Sequence, residues 1–219
     1  MGKKKDSQSS EKDVSKIMEV KIGTQIWSAL NLNTTNFSNG EPIANAKTLK
    51  QWEKATEKRT AAWCSYKNSE ENAKKYGNLY NWYALNDARG LAPKGWRVPT
   101  SDDFNELYEF LRENGGNIIG KLKSKNSWIS DDGYSTEEEV NGTDDYGFCA
   151  LPGGFIQESG DFMDLGIKAF FWTSEETHKF NAKSLHILNG NANCEDNTTD
   201  IFQLNRKSDG LSIRLIKES

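Results

Sequence analysis

The clearest repeat of apolar positions predicts one helix near the middle of the chain. Apolar residues recur at i, i+3, i+4 and i+7, at Phe104, Leu107, Tyr108 and Leu111. This spacing puts them on one face of an α-helix. Thr100 stands at the expected N-cap position, with Asp103 three residues later, and Gly115 follows the last apolar position. The pattern therefore predicts a capped amphipathic helix with one buried face.

A segment rich in aromatic residues, 76–100, precedes this helix. It contains five aromatic residues, three glycines and two prolines. Leu79, Trp82 and Tyr83 have helical spacing, whereas Pro93 and Pro99 exclude a continuous helix after them. We expect the segment to form a buried hub, in which a short helix is followed by an extended connector.

Shorter patterns predict three elements before the hub. Residues 19–27 alternate around Gly23 and predict a β-hairpin. Residues 47–59 have a charged amphipathic pattern that predicts a helix, and residues 61–66 predict a strand. The inner face of the predicted helix is expected to carry Leu49, Trp52 and either Ala55 or Thr56.

After Tyr146 the pattern changes to short apolar runs separated by turn residues, which is typical of an antiparallel sheet. The predicted strands are Phe148–Leu151, Gly154–Gln157, Phe162–Leu165, Ala169–Thr173, Lys183–Leu188, Ile201–Leu204 and Leu211–Ile216. Helices in the first half and strands in the second predict an α+β domain. We expect two or three helices from the N-terminal half to pack on a twisted antiparallel sheet from the C-terminal half. Loops should be long, and Trp82, Trp96 and Trp172 should hold the core.

Composition sets the domain organisation and excludes some partners. Residues 1–18 have too few apolar side chains to offset the entropy of ordering, so we expect a disordered polar tether. Residues 19–219 suit a single domain. The formal net charge of −4 provides no basic field, so nucleic acid is not expected as a partner. No apolar run reaches the roughly 18 residues of a membrane span.

Few residues have the spacing of a catalytic or metal site. GxSxG, HExxH, P-loop and GxGxxG motifs are absent in the required contexts. The two histidines, His178 and His186, are expected to be hydrogen-bonded or solvent-facing. The acidic run between 131 and 145 predicts a solvated surface, with a calcium site as the alternative. We therefore expect no catalytic residue, no cofactor and no metal.

Six linked motifs resemble those of one family. In order, they read YGNLYNWYAL, APKGWRVPTSDDFNEL, GKLKS followed by Trp128, YGFCALPGGF, FFWTSEE and GLSIRLIK. From Val20 to Lys217 the chain resembles the Fibrobacter succinogenes major paralogous domain family. The resemblance implies a fold similar to C-type lectin-like domains and to the formylglycine-generating, sulfatase-modifying group. Members are commonly surface lipoproteins or exported proteins of Bacteroidetes and their relatives.

The resemblance also affects the interpretation of the tether. Residues 2–5 fit a region just after a lipidated cysteine, which implies a lipid-anchored protein of the cell surface or outer membrane. A periplasmic or secreted protein is the alternative, and the composition also fits the start of a cytosolic protein. Contact with a membrane is expected only through the lipid anchor.

The fold relatives imply one enzymatic alternative. Formylglycine-generating enzymes act through two nearby thiols in the C-terminal half. This chain offers Cys149 and Cys194 there, with no second thiol beside either in sequence. A degenerate enzyme of this type is therefore the second hypothesis for function. The third is a structural component of an envelope assembly, which predicts oligomers and no small ligand.

Asparagine is concentrated between residues 181 and 206. Its amide offers donors and an acceptor without the desolvation cost of a charge, which suits recognition of hydroxyls or backbone amides. The alternative is that asparagine fills left-handed turns. Our first hypothesis is a non-catalytic binding module that recognises a glycan or protein ligand through C-terminal loops. The predicted ligand surface comprises Glu175, Glu176, Asn189, Asn191, Asn193, Asn197 and Asn205.

Overall fold

The fold was analysed in a computed structural model, which describes residues 17–130, 134–189 and 201–218. Within these ranges the helices are α1 (Leu49–Lys58), α2 (Glu70–Tyr76), α3 (Trp82–Leu85), α4 (Ser101–Glu113), α5 (Ile118–Leu122) and α6 (Glu137–Val140). A 3-10 turn spans Tyr66–Asn68. None of the described helices is both long enough and apolar enough to cross a membrane.

Thirteen strands accompany these helices in the described ranges. Before residue 100 they are β1 (Glu19–Ile22), β2 (Gln25–Ser28), β3 (Ala44–Asn45), β4 (Ala62–Cys64), β5 (Leu79–Asn81) and β6 (Trp96–Arg97). After it they are β7 (Gly153–Ile156), β8 (Phe162–Leu165), β9 (Lys168–Glu176), β10 (Asn181–Leu188), β11 (Phe202–Arg206), β12 (Gly210–Leu211) and β13 (Ile216–Lys217). The predicted α+β class is confirmed.

The strands form three sheets, and most of the pairs are antiparallel. A four-stranded sheet has the order β1-β2-β13-β6, and a three-stranded sheet has the order β11-β10-β9. The third sheet has six strands in the order β3-β4-β5-β12-β7-β8, of which β3 and β4 are parallel. Strands β12 and β13 lie inside two of the sheets, so the C-terminal segment joins strands from both halves of the chain.

The expected separation of helices in the first half from strands in the second is wrong. Six strands lie before residue 100, and each contains only two to four residues. Three of them, β1, β2 and β4, overlap ranges that the sequence predicts as strands, whereas β3, β5 and β6 are too short to show a strand alternation. Strand β5 pairs with β12, strands β2 and β6 pair with β13, and β3 pairs with β4, so these strands depend on tertiary pairing.

All three elements predicted before the hub are present, and β4 lies within the predicted residues 61–66. One side-chain placement is wrong. Strands β1 and β2 make an antiparallel hairpin, and Gly23 in its turn has a φ of 59°. Helix α1 begins after Thr48, and its residues Trp52 and Ala55 are buried. Leu49, however, is 51% exposed. The prediction that it faces inward is wrong because its side chain covers the turn at Gly160 instead.

Helix α4 forms as predicted, and an ion pair reinforces its cap. Thr100 Oγ1 accepts a hydrogen bond from the Asp103 amide at 3.2 Å, and Asp103 Oδ2 accepts one from the Thr100 amide at 2.6 Å. Arg97 adds two bonds to the Asp103 carboxylate, at 2.5 and 2.7 Å. Burial alone would raise the pKa of Asp103, but the bonds from Arg97 and Thr100 outweigh it and lower that pKa.

The aromatic hub is buried as predicted, but its first part is not one helix. Leu79–Asn81 is strand β5, which pairs with β4 and β12, and only Trp82–Leu85 is helical. The Asn81 side chain explains the change. Its Oδ1 accepts hydrogen bonds from the amides of Ala62 at 3.0 Å and Ala84 at 3.2 Å. The Asn81 side chain therefore binds the first residue of β4 and also caps α3. The helical spacing of Leu79, Trp82 and Tyr83 does not reveal this double role.

The hub tryptophans connect the two halves of the chain. Trp172 Nε1 donates to the Tyr80 carbonyl at 2.7 Å, and Trp82 Nε1 donates to the Thr173 carbonyl at 3.3 Å. Trp82, Trp96 and Trp172 are buried in the same hydrophobic cluster. The prediction that these three rings hold the core is confirmed.

The predicted strands after Tyr146 are mostly present, with two errors. Strand β8 has the predicted bounds, and β7, β9, β10 and β11 differ from them by one to three residues. Leu211–Ile216 is not one strand, because the chain passes there from the six-stranded sheet to the four-stranded sheet and buries Arg214 between β12 and β13. Phe148–Leu151 is not a strand either, because Cys149 has a φ of 50° and only Ala150 makes an isolated bridge.

Candidate functional site

The two predicted acidic site residues are neighbours on β9, but they contact different groups. Glu175 Oε2 accepts a hydrogen bond from the Ser101 amide at 2.6 Å, at the first residue of α4. Glu176 forms an ion pair with Lys207, whose side chain is only 5% exposed. The two carboxylates therefore do not form an acid and base pair. Each of them joins β9 to another part of the fold.

Asn205 lies in a hydrogen-bonded network between β10 and β11. Its Oδ1 accepts a bond from Ser184 Oγ at 2.7 Å and lies 2.8 Å from His186 Nε2, and its Nδ2 donates to Asp209 Oδ2 at 3.2 Å. Ser184 is fully buried. Burial lowers the pKa of His186, whose ring also contacts Phe170 edge to face. The network stabilises the pairing of the two strands. His186 is hydrogen-bonded, which is one of the two environments expected for it from the sequence.

The remaining predicted site residues lie at or beyond the end of β10. Asn189 is buried, and its Nδ2 donates to the Ile129 carbonyl at 3.2 Å. Asn191, Asn193 and Asn197 lie outside the described residues, as does Cys194. The described part of the predicted ligand surface thus consists of side chains that already have internal partners.

Neither described thiol is activated. Cys64 is fully buried, and burial raises the pKa of its thiol to about 12. Burial and the nearby Asp144 carboxylate also raise the pKa of Cys149. Reactive cysteines have lowered pKa values, because the thiolate is the nucleophile. Over the same described ranges, no three residues among His, Cys, Asp and Glu are grouped so that they could hold a metal ion.

A polar pocket of about 350 Å³ lies at the β3 edge of the six-stranded sheet. We call it the amide pocket, because four of its lining residues are asparagines. Its lining residues are Asn33, Thr35, Asn45, Lys47, Trp63, Ser65, Asn68, Glu70, Ala73, Lys74 and Asn78.

The floor of the amide pocket is one face of β3, β4 and β5. Asn45 pairs with Trp63 in the parallel ladder, and Trp63 pairs with Tyr80 in the antiparallel one. Residues paired across a sheet share a face, as do residues two apart along a strand. Ser65 and Asn78, which are two residues from Trp63 and Tyr80, therefore extend the same face.

Helix α2 and the loop after β2 form the walls of the pocket. Glu70, Ala73 and Lys74 are three and four residues apart on α2, so they share one helix face. The loop contributes Asn33 and Thr35, which are exposed. Both walls are polar, so a ligand in the pocket contacts polar groups on the floor and at the sides.

Trp63 is the aromatic residue of the pocket, and its ring is held in place. Its Nε1 donates to the Ile43 carbonyl at 3.1 Å, and the residue is half-buried. An indole fixed in this way presents an apolar surface without losing rotamer freedom when a ligand binds.

Several polar groups in the pocket lack internal partners. The side chains of Asn33 and Asn45 make no hydrogen bond to any described residue. Asn78 Nδ2 donates to the Asn33 carbonyl at 3.0 Å, but its buried Oδ1 has no hydrogen-bond partner among the described residues. A buried acceptor without a hydrogen bond costs about 1–3 kcal/mol. Asn78 Oδ1 is itself enclosed, but the more accessible amides of Asn33 and Asn45 can bind a ligand's hydroxyl groups.

Backbone strain occurs at the rim of the same pocket. Lys67 and Asn68 are consecutive non-glycine residues with φ angles of 51° and 53°. Left-handed backbone costs about 1–2 kcal/mol for a residue such as lysine and less for asparagine. The backbone N–H of Asn68 donates to the Ser65 carbonyl at 2.8 Å, and the side-chain Nδ2 of Asn68 donates to the Lys47 carbonyl at 3.0 Å. These bonds hold the strained turn so that Asn68 lines the pocket.

A larger hollow of about 620 Å³ contains Arg59 and Arg89 but has fewer unsatisfied groups. Arg89 binds Asp87 through two hydrogen bonds of 2.8 Å and Glu41 through one of 3.0 Å. Its guanidinium also lies 3.9 Å from the centre of the Phe37 ring. The Arg89 charge is thus already neutralised, whereas Arg59 forms no ion pair within 4 Å of a described residue. We prefer the amide pocket as the candidate binding site because of the asparagine side chains that line it.

The sequence contained little that indicated the amide pocket. Residues 31–40 were interpretable only as a loop, and residues 67–75 only as a polar segment. The available signal was the alternation of Trp63 with Ser65 and of Asn78 with Tyr80, which puts these residues on one face of two strands. The pairing of β3 with β4 is a tertiary feature that this alternation does not reveal.

Together, the described residues define an α+β protein with a polar, amide-lined pocket on one edge of a mixed sheet. The chain belongs to the Fibrobacter succinogenes major domain family, whose model matches residues 20–217. The resemblance seen in the sequence motifs is thereby confirmed. Comparisons with curated proteins and with solved structures found no significant match.

Proposed function

We propose that this protein is a non-catalytic binding module of the cell surface and that the amide pocket binds a glycan. The observation that carries the proposal is the set of four asparagine side chains around Trp63, two of which, Asn33 and Asn45, have no hydrogen bond to a described residue. The described lining residues include one carboxylate, Glu70, and neither a histidine nor a cysteine. These groups suit the binding of hydroxyls better than they suit acid, base or nucleophilic chemistry.

The size and chemistry of the pocket support a sugar as the ligand. Its volume of about 350 Å³ lies at the small end of the range for small-molecule sites, about 300–1,000 Å³. Sugars have an apolar face of C–H groups and a rim of hydroxyls. In the proposed complex the C–H face packs on Trp63, and the amides of Asn33 and Asn45 bind the hydroxyls. A protein ligand is the alternative, in which the pocket takes a single polar side chain.

A glycan array tests this proposal, with the soluble domain as the probe and titration calorimetry of the best ligands. Asn33→Ala and Asn45→Ala should each lower the affinity by about threefold to tenfold, since each removes one hydrogen bond. Asn105→Ala, at an exposed position in the middle of α4, is the matched control and should bind like the wild type. Glycan binding that neither pocket variant weakens would contradict the proposal.

The surface predicted around β9, β10 and β11 remains a second proposed contact, made by Glu175, Glu176, Asn189, Asn191, Asn193, Asn197 and Asn205. It rests on the amide-rich composition of the chain after Asn189. Asn191→Ala and Asn193→Ala test this contact in the same assay. Loss of binding in these variants would support a ligand surface in the C-terminal loops, and unchanged binding would reject it.

Anchoring and the finer fold class are also part of the proposal. Family membership supports a C-type lectin-like fold and a lipid-anchored protein of the cell surface or outer membrane. Mass spectrometry of the protein from its native membrane fraction should detect an N-terminal lipid. Recovery of an unlipidated protein in the cytosolic fraction would contradict the proposed location.

A further inference from the structure

The amide pocket contains charged residues whose charges do not cancel. Lys47 and Lys74 line it together with Glu70. Two lysines and one glutamate give the pocket a formal charge of +1, whereas the whole protein has a net charge of −4. A local positive charge in an acidic protein favours the binding of an anionic group at this place.

None of these three side chains is neutralised within the described part of the chain. Lys74 lies four residues after Glu70 on the same face of α2, which is the spacing that often gives an ion pair. No ion pair within 4 Å forms between them, and Lys47 has none either. Both ammonium groups can therefore donate hydrogen bonds to a ligand.

We propose that the amide pocket is selective for an anionic sugar, whose carboxylate or sulfate group is bound by Lys47 and Lys74. This inference rests on the proposed glycan-binding function and specifies its ligand class. The ammonium groups bind the anion, and the amides of Asn33 and Asn45 bind the uncharged hydroxyls of the same sugar. Glu70 accepts a hydrogen bond from a further hydroxyl.

The backbone around Lys47 favours this role. The Lys47 carbonyl is held by Asn68 Nδ2 at 3.0 Å, and Asn68 belongs to the strained turn at the pocket rim. The backbone at Lys47 is thus fixed, while the residue itself is exposed to solvent. On the opposite wall Ala73 contributes only a methyl group beside Lys74, which leaves space for a ligand.

The test compares matched acidic and neutral glycans. Uronic-acid oligosaccharides are measured beside their methyl esters, and sulfated oligosaccharides beside their desulfated forms, by calorimetry with the wild-type domain. We expect at least one acidic form to bind about tenfold more tightly than its neutral counterpart. The carboxylate and sulfate arms identify which anion the pocket prefers. Raising the salt concentration should weaken the acidic form selectively, because salt screens exposed charges.

Substitutions assign this preference to the pocket. Lys47→Met and Lys74→Met keep most of the side-chain volume but remove the charge, and each should lower the acidic-to-neutral ratio several-fold. Lys50→Met is the matched control, because Lys50 is exposed on α1 outside the pocket, and it should leave the ratio unchanged.

Two results would overturn the inference in distinguishable ways. Equal binding of acidic and neutral partners, unaffected by the lysine substitutions, would reject the anionic preference and leave the glycan-binding proposal intact. Absence of binding to either form across both panels would reject the glycan-binding proposal together with the inference.

Discussion

At the scale of single residues, two fully buried cations have opposite surroundings. Arg214 is surrounded by hydrogen-bond acceptors. Its guanidinium donates to Ser28 O at 2.9 Å, Phe148 O at 2.6 Å, Asn31 Oδ1 at 2.7 Å and Cys149 O at 3.3 Å. Lys123 Nζ has no hydrogen-bond partner among the described residues and lies 4.3 Å from the centre of the Trp128 ring. A buried charge is tolerated when it is hydrogen-bonded and is costly when it is not.

Substitution of Arg214 by methionine should destabilise the protein. The change leaves three backbone carbonyls and the Asn31 side chain without a donor, and each buried unsatisfied acceptor costs about 1–3 kcal/mol. We expect the free energy of unfolding to fall by about 3 kcal/mol or more, measured by urea denaturation. Stability equal to the wild type would show that the guanidinium contributes nothing net at this position.

The same substitution at Lys123 should have the opposite effect. Burial lowers the pKa of Lys123 from its ordinary 10.5 to about 8. Between these two values the unfolded chain binds more protons than the folded one, so the stability of the wild type should rise with pH across that window. Lys123→Met should remove this rise and increase the stability at pH 7 by about 2–3 kcal/mol. Urea denaturation at pH 7, 8, 9 and 10 checks both effects, and a rise that persists in the variant would exclude Lys123 as its source.

At the scale of elements, β7 and β8 depend on one glycine. Gly154 has a φ of 60°, and a Cβ added there would lie 2.2 Å from the Met163 carbonyl oxygen. The register passes from Gly153 paired with Leu165 to Phe155 paired with Met163, so Gly154 lies between two paired positions of the ladder. Left-handed backbone and lack of space both require glycine at this position.

Gly154→Ala should lower the free energy of unfolding by about 3 kcal/mol, from backbone strain together with the steric clash. Gly40→Ala is the matched control, because Gly40 has a φ of 88° but a Cβ added there would have nothing within 4 Å. The control should lose only the strain contribution, about 1–2 kcal/mol. Equal losses in thermal or urea denaturation would show that the clash at Gly154 is relieved by movement of β8.

At the scale of the whole molecule, the last strands complete sheets that begin with the first strands. β13 lies between β2 and β6, and β12 lies between β5 and β7. Ile216 pairs with Trp27 on one side and with Arg97 on the other. Long-range pairing of this kind makes the first strands dependent on the last segment of the chain.

Two truncations of the chain should therefore have different outcomes. Removal of residues 210–219 should abolish cooperative unfolding, because it deletes the strands that join both halves and takes Arg214 with them. Removal of residues 1–16 should change the free energy of unfolding by less than about 0.5 kcal/mol, because these residues have the composition of a polar tether. Circular dichroism during thermal unfolding measures both. A cooperative transition without residues 210–219 would contradict the central role of β12 and β13.

The sequence by itself determined the elements whose signals are local. Helix α4 could be predicted from the spacing of Phe104, Leu107 and Leu111 and from the Thr100 cap, because both features act within a few residues. The hairpin around Gly23 and strand β8 were predictable for the same reason. The burial of Trp82, Trp96 and Trp172 followed from the size of their apolar rings. Six linked motifs, which are also a property of the sequence, were sufficient to indicate the family.

Only the tertiary structure decided the sheet order and the amide pocket. Strand β3 has two residues and β12 has two, so neither has a periodic signal, and each exists because a distant strand pairs with it. The pocket needs Asn45, Trp63 and Asn78 on one face, with α2 beside them, and these positions are separated by turns whose geometry is not encoded in a hydrophobic pattern. The role of Arg214 was likewise hidden, because its acceptors come from residues 28–31 and 148–149, far away in sequence. Contacts between distant segments depend on how the whole chain packs, and a local pattern contains no record of them.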